Sequence, residues 1–155
     1  MIEVKEAGSE AVGSIMPVMQ AAFDPAYGEA WTETQCAGAL GLPGCFLVTA
    51  TLHEDVVGFA IVRSVLDEAE LMLIAVKPAC HRGGIGRALL DTVEAKCGAL
   101  GVSKLHVEMR EDNPARDFYI DAGFTLIGER RNYYPRLDGK SANALTFCRV
   151  LTKDC

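Results

Sequence analysis

The chain begins with an alternating segment that changes to a helical spacing of apolar residues. Ile2 to Ala7 alternates between apolar and polar residues, as a half-buried strand does. From Ser9 to Phe23 the apolar residues recur at intervals of three and four, at Val12, Ile15, Met16, Met19 and Phe23. We therefore expect a strand and then a helix, which Asp24 to Gly28 ends.

A second, short helix is predicted next. Thr32 and Gln35 have the spacing of a capping box, so the helix begins at Thr32 and runs to about Leu40. Gly41 to Gly44 contains two glycines and a proline and ends it.

Three strand-like runs follow in the middle of the chain. Cys45 to Leu52 and Val56 to Val65 are separated by three residues, a length typical of a hairpin loop. The third run is Glu68 to Val76, and its inner part from Leu71 to Val76 is apolar on both faces, which indicates a central strand.

The second half of the chain predicts a crossover and a terminal hairpin. A helix begins at Gly84, with apolar residues at Ile85, Leu89, Val93, Cys97 and Leu100. The remaining predicted elements are a strand at Lys104 to Arg110, a short helix at Ala115 to Ala122, and strands near Phe124 to Arg131 and Ala142 to Leu151. This order predicts an α/β fold with a mixed, mostly antiparallel sheet flanked by helices, in one domain over residues 1–155.

Composition narrows the class of protein. Apolar runs are far shorter than the roughly 20 residues that cross a bilayer, and the acidic N-terminus does not resemble a secretory signal. We expect a cytoplasmic protein with no membrane partner.

The net charge of −6 argues against a nucleic-acid partner and is compatible with a basic polypeptide substrate. The six cysteines and three histidines have no metal-ligand spacing, so no metal and no disulfide framework is predicted.

The residues from Cys80 to Gly86 form a glycine-rich turn between a strand and a helix, which we call the Gly-rich turn. Backbone N–H groups at Gly83, Gly84, Ile85 and Gly86, together with the helix dipole, suit a pyrophosphate group. Two arginines, Arg82 and Arg87, can add ionic contacts. The glycines alone are equally compatible with a tight strand-to-helix turn of no further function. The turn lacks the Lys-Ser/Thr of a P-loop, and it comes too late in the chain for a dinucleotide-binding fingerprint.

The Gly-rich turn resembles motif A of the GNAT acetyltransferase superfamily. The family pattern Arg/Gln-x-x-Gly-x-Gly/Ala corresponds to residues 81–86, where His81 stands in place of the usual Arg or Gln. The resemblance implies a GNAT-type sheet with a central parallel strand pair, and acetyl-CoA as the co-substrate.

A closer resemblance links the second half of the chain to the RimI family, bacterial enzymes that acetylate the N-terminal alanine of a small-subunit ribosomal protein. The matching segments are Val65 to Ala69, Ile74 to Val76, Gly86 to Leu90, Gly123-Phe124, Arg131 to Pro135 and Asp138-Gly139. The resemblance implies that Ile74, Ala75 and Val76 contact the cofactor, and that the chain acetylates such a protein N-terminus. Residues Phe23 to Glu29 resemble a family-variable insertion.

Two side chains are candidates for proton transfer. Glu108 lies in a strand between apolar neighbours, where a carboxylate can act as a general base through water; it can equally be a surface residue paired with Arg110 or Arg131. Tyr119 lies on the short helix and can donate its phenolic proton to the coenzyme A sulfur, or simply pack in the core. The family resemblance implies the general base and the general acid at these two positions.

Three further residues are assigned by the resemblance. Asn113 corresponds to a cofactor-contacting asparagine, although Pro114 after it can simply begin the helix. Tyr133 and Tyr134 correspond to aromatic residues of the acceptor groove; plain packing is the alternative. For the whole chain two other functions stay open: acetylation of a small-molecule amine or a lysine side chain, and acetyl-CoA binding without catalysis.

Overall fold

A seven-stranded sheet forms the centre of the computed structural model, which describes residues 2–23, 30–81, 83–135 and 141–151. The strands are β1 (Ile2–Ala7), β2 (Cys45–Leu52), β3 (Asp55–Val65), β4 (Glu68–Val76), β5 (Lys104–Arg110), β6 (Thr125–Pro135) and β7 (Ser141–Val150). The helices are α1 (Val12–Ala22), α2 (Glu33–Leu40), α3 (Ile85–Ala99) and α4 (Arg116–Asp121).

The sheet has the strand order β1-β2-β3-β4-β5-β7-β6, and β4 and β5 are its parallel neighbours. Every other neighbouring pair is antiparallel. The parallel pair is joined only at Glu68–Glu70 with Lys104–His106, although both strands continue for several residues beyond. The mixed sheet with a central parallel pair was predicted and is confirmed, and the sheet opens between β4 and β5.

Apolar side chains of the helices cover both faces of the sheet. On one face α3 contributes Leu89, Leu90 and Val93, all without exposed surface. On the other face α1 contributes Ile15, Val18 and Met19, which are equally buried. The helical spacing in the sequence arises because each helix turns one stripe of side chains towards the sheet.

The start of α2 agrees with the capping-box pattern in the sequence, whereas the start of α1 does not agree with its predicted position. Thr32 Oγ1 accepts a hydrogen bond from the Gln35 N–H at 3.1 Å, and Gln35 Oε1 accepts one from the Thr32 N–H at 2.7 Å. The predicted capping box is therefore confirmed. The first helix differs from its prediction because Ser9–Ala11 form a separate 3₁₀ turn before α1. The predicted break at Asp24 to Gly28 and most of the predicted insertion lie outside the described residues.

None of the described helices is long and apolar enough to cross a membrane. Five cysteines in the described ranges are free thiols, of which Cys36, Cys97 and Cys148 are buried. No His, Cys, Asp or Glu cluster among the described residues is arranged to hold a metal ion.

Candidate active site

The opening between β4 and β5 leads to a cavity of about 750 Å³, which we call the larger cavity. It is lined by the end of β4, the start of α3, and α4 with the turn before it. The predicted site residues along its wall are Ile74, Ala75, Val76, Gly84, Ile85, Gly86, Arg87, Asn113 and Tyr119. Ile74 and Tyr119 are 45 residues apart in the sequence, and the fold brings them together at the opening between the two strands.

The N-terminus of α3 faces this cavity with uncapped backbone donors. The first helical hydrogen bond joins the Ala88 N–H to the Gly84 carbonyl at 3.0 Å, so the N–H groups of Ile85, Gly86 and Arg87 have no partner inside the helix. No side chain of the described residues caps this end. Free donors and the positive end of the helix dipole together form an anion site of the kind predicted for the pyrophosphate.

One glycine allows the turn to take this shape. Gly84 has φ 77° and ψ 9°, a left-handed conformation that costs a residue with a Cβ atom about 1 kcal/mol or more. A Cβ atom on Gly86 would lie 3.4 Å from Phe118 of α4, which is an ordinary van der Waals contact. Gly83 is exposed and does not line the cavity.

The polar side chains in and next to the Gly-rich turn have different positions and partners. Arg87 Nε is 3.0 Å from Asp91 Oδ1, and its side chain is 47% exposed, so it reaches the cavity rim from the helix surface. Arg82 lies outside the described residues. His81, the residue that departs from the family pattern, has its Nε2 3.0 Å from the Val76 carbonyl oxygen. With its hydrogen on Nε2, His81 thus donates a hydrogen bond that links the Gly-rich turn to the end of β4.

Tyr119 is both a core residue and a cavity residue. It is 4% exposed, and its ring packs edge-on against Phe118 at 5.2 Å and Phe124 at 5.5 Å between ring centroids. Burial raises the pKa of its phenol well above the ordinary value. The side chain is therefore a neutral proton donor at physiological pH, on the wall of the larger cavity.

Asn113 organises the start of α4 as well as lining the cavity. Its Oδ1 accepts a hydrogen bond from the Ala115 N–H at 2.8 Å. Because α4 begins at Arg116, Pro114 does not occupy the first helical position, and that alternative for the segment is wrong.

Glu108 lies in a neighbouring cavity of about 510 Å³, which we call the Glu108 cavity. Val107 and Met109 point into the core under α3, so strand alternation turns Glu108 to the opposite face of the sheet. Its Oε2 atom is 2.5 Å from Arg130 Nη2 and 3.4 Å from Thr146 Oγ1. The ionic partner is thus Arg130, whereas the sequence suggested Arg110 or Arg131.

Tyr133 and Tyr134 are adjacent residues of β6 whose rings meet edge to face, with centroids 5.1 Å apart. Tyr133 is 48% exposed, and the Arg130 guanidinium lies 4.3 Å from its ring centroid. The Arg110 guanidinium lies 5.5 Å from the Tyr134 ring centroid. The tyrosines line neither of the two cavities, and each contacts an arginine that does.

A bulge in β6 produces this arrangement. Between the pairs Arg130–Ala144 and Tyr134–Ala142, three residues of β6 face Asn143 alone, and Asn132 has a positive φ of 54°. The strand predicted near Phe124 to Arg131 therefore continues to Pro135, as the bulged end of β6. The predicted end was wrong because a bulge depends on the partner strand and leaves no local pattern.

Sequence reasoning missed two arginines of the site. Arg110 is 1% exposed and lines the larger cavity, where its Nε is 3.1 Å from Asp112 Oδ1 and its Nη2 is 3.4 Å from Asp112 Oδ2. The sequence did contain a signal for a buried Arg110, because the Asp112 carboxylate two residues later can pair with its guanidinium. For Arg130 no comparable signal exists, since its partner Glu108 is 22 residues away.

Comparisons with known proteins place the chain in a family. The model of the acetyltransferase (GNAT) family matches residues 13–124. The [Ribosomal protein bS18]-alanine N-acetyltransferase of Haemophilus influenzae is 40% identical over 99 residues, which are 64% of this chain and 68% of that protein. The protein of the same name from Escherichia coli K12 is 43% identical over 91 residues, 58% of this chain and 62% of that protein.

A solved structure extends the similarity to the whole fold. The crystal structure of the ribosomal-protein-S18-alanine N-acetyltransferase from Escherichia coli has a TM-score of 0.88 and 30% identity, and the match covers 100% of this chain and 97% of that one. The family resemblance of the Gly-rich turn is thereby confirmed: the chain belongs to the acetyltransferase (GNAT) family.

Proposed function

We propose that this chain, as a single N-acetyltransferase domain over residues 1–155, transfers the acetyl group of acetyl-CoA to the N-terminal alanine of the small-subunit ribosomal protein bS18. The observation that carries the choice of acceptor is the similarity to enzymes named for that reaction, at 40% identity over 99 residues and across the whole fold. The predicted cytoplasmic location is part of the same proposal.

The larger cavity suits acetyl-CoA, which supplies the thioester. Its volume lies within the range of cofactor sites. The N–H groups of Ile85, Gly86 and Arg87 are assigned to the pyrophosphate, with Gly83 and Gly84 giving close approach and Arg82 and Arg87 adding positive charge. The free edge of β4 at Ile74, Ala75 and Val76 is assigned to the polar groups of the pantetheine arm, because an unpaired strand edge offers both donors and acceptors. Asn113 is assigned a further contact.

Proton transfer is assigned to the two groups on either side of the sheet opening. Glu108 accepts the proton of the attacking amine through a water molecule, and Tyr119 donates its phenolic proton to the departing thiolate. The new C–N bond forms as the C–S bond breaks, in a ternary complex. An N-terminal amine with a reference pKa near 8 is partly neutral at physiological pH, so a carboxylate is a strong enough base, whereas lysine at about 10.4 needs more help.

Tyr133 and Tyr134 are assigned to the acceptor. Tyr133 is half exposed beside the Glu108 cavity, and an exposed aromatic ring on a strand edge can pack on a peptide.

An acceptor panel tests the proposal. The acceptors are a peptide with the N-terminal sequence of bS18, the same peptide blocked at its amine, a lysine peptide blocked at its N-terminus, and a polyamine. We expect one acetyl group on the α-amine of the first peptide, located by fragment mass spectrometry. Glu108→Gln should lower kcat about 10²- to 10⁴-fold and leave the Kd for acetyl-CoA nearly unchanged.

Other outcomes identify the competing functions. Transfer only to the polyamine or to lysine would replace the protein N-terminus as acceptor. Acetyl-CoA binding without transfer to any acceptor would indicate a non-catalytic binding module.

A further inference from the structure

Both contacts of the Glu108 carboxylate fall on the same oxygen atom. Arg130 Nη2 and Thr146 Oγ1 both bind Oε2, whereas Oε1 has no hydrogen-bond partner among the described residues. The carboxylate is thus held by one oxygen, and the other remains available in the Glu108 cavity for a water molecule or an amine.

The sheet register explains how Arg130 reaches Glu108. The strand β7 lies between β5 and β6, with Thr146 paired to Glu108 and Ala144 paired to Arg130. The long arginine side chain crosses β7 on the face that Glu108 occupies, and Thr146 stands at the crossing point.

The same guanidinium contacts the predicted acceptor-binding aromatic. It lies 4.3 Å from the Tyr133 ring centroid while it binds Glu108. Arg130 and Tyr133 are both about half exposed, so they form an accessible rim beside the candidate base.

Arg130 is also the ion-pair partner of the base. The other charged or titratable side chains that line the Glu108 cavity are Arg63 from β3, Glu68 and Glu70 from β4, and His106 from β5. None of these four contacts the Glu108 carboxylate. Loss of the Arg130 side chain would therefore leave the base without its ion-pair partner, in a cavity that also holds two further carboxylates.

We propose that Arg130 is a positioning residue, which anchors Oε2 of Glu108 so that Oε1 faces the acceptor amine, and which joins the base to the Tyr133 rim. This inference rests on the proposed function. It adds a residue that neither the motifs nor the family pattern had singled out, and it makes the acceptor-binding rim part of the machinery that orients the base.

The test compares Arg130→Gln, Arg130→Lys and the control Arg131→Gln. Arg131 is the next residue on β6 and makes no ion pair with the described residues. Its substitution by glutamine changes the net charge by the same amount as Arg130→Gln. With the bS18 peptide at saturation, Arg130→Gln should lower kcat about tenfold. It should also raise the KM for the peptide, because a glutamine side chain cannot stack on Tyr133 as the guanidinium does.

The lysine variant separates charge from stacking. Arg130→Lys should restore most of kcat, because an ammonium group can still pair with the Glu108 carboxylate, whereas the KM for the peptide should stay raised because an ammonium group cannot stack flat on Tyr133. Arg131→Gln should change neither quantity. All three variants should keep the wild-type Tm and Kd for acetyl-CoA, since both arginine side chains are exposed.

The inference is overturned if Arg130→Gln matches Arg131→Gln in kcat while the wild type acetylates the peptide. If the wild type acetylates none of the N-terminal amines, the proposed function itself has failed. A fall in Tm with an unchanged kcat, or a loss of kcat that Arg130→Lys does not restore, would reduce Arg130 to a structural contact and would also overturn it.

Discussion

Tyr119 combines a structural and a chemical property in one side chain. Its ring is buried between Phe118 and Phe124, and the same burial raises the pKa of its hydroxyl group. A phenol with a raised pKa stays protonated over a wider pH range, so the group can donate a proton throughout the physiological range. The two interpretations that the sequence left open for this residue are therefore compatible.

Substitution Tyr119→Phe should lower kcat about 10²-fold or more, because it removes the donor and keeps the ring. The Kd for acetyl-CoA and the Tm should change little. Since the folded-state pKa lies above the ordinary value of about 10, ionisation of Tyr119 should not lower wild-type kcat below that pH. An alkaline limb with an apparent pKa at or below 10 that disappears in Tyr119→Phe would contradict this assignment.

Individual residues differ in how far the sequence could predict them. Glu108 and Tyr119 were singled out because each lies in a short element at a family position, whereas Arg130 needed the strand register to be known. Arg110 was considered only as a surface partner for Glu108. In the structure it is 1% exposed and pairs with Asp112, since β5 ends where the core and the larger cavity meet.

At the scale of elements, the bulged end of β6 is held by side-chain hydrogen bonds from β7. Asn143 Oδ1 accepts from the Asn132 N–H at 2.9 Å, and Asn143 Nδ2 donates to Glu129 Oε1 at 2.7 Å. The amide of Asn143 thus replaces the ladder hydrogen bond that the bulge interrupts. The positions of Tyr133 and Tyr134 depend on this replacement.

A paired substitution tests the role of the bulge. Asn143→Asp keeps the acceptor for the Asn132 N–H but sets a carboxylate against Glu129, so the KM for the peptide should rise about fivefold, for a loss of about 1 kcal/mol. Adding Glu129→Gln reverses the direction of that hydrogen bond and should restore the KM. A double variant no better than Asn143→Asp alone would show that the bulge does not position the acceptor site.

Regular elements were predicted far better than this bulge. The bounds of β1, β4 and β5 agree with the sequence patterns residue for residue, because alternation or a continuous apolar run marks a strand locally. The end of β6 was missed because Asn132 and Pro135 are typical turn residues and their pairing is decided by β7. Pairing partners at long range have no signature in a single sequence.

At the scale of the whole molecule, the divergence of β4 from β5 defines the site. The larger cavity with Tyr119 is lined by the ends of α1 and β4 and by α3 and α4, whereas the Glu108 cavity is lined by the paired residues Glu68–Glu70 and His106. Sequence patterns predicted the mixed sheet and the Gly-rich turn, but not the point where the two strands separate, which follows from packing on both faces. Two neighbouring cavities on β4 and β5 can hold two reactants at once, which suits the direct transfer in a ternary complex that we propose.

A crystal structure with coenzyme A and the bS18 N-terminal peptide tests this central claim most directly. We expect the pantetheine arm between β4 and β5, the thiol within hydrogen-bond distance of the Tyr119 hydroxyl, and the peptide amine directed to Glu108 Oε1, directly or through one water molecule. Coenzyme A bound away from the opening, or a peptide amine on the same face as α3 and out of reach of Glu108, would contradict the account.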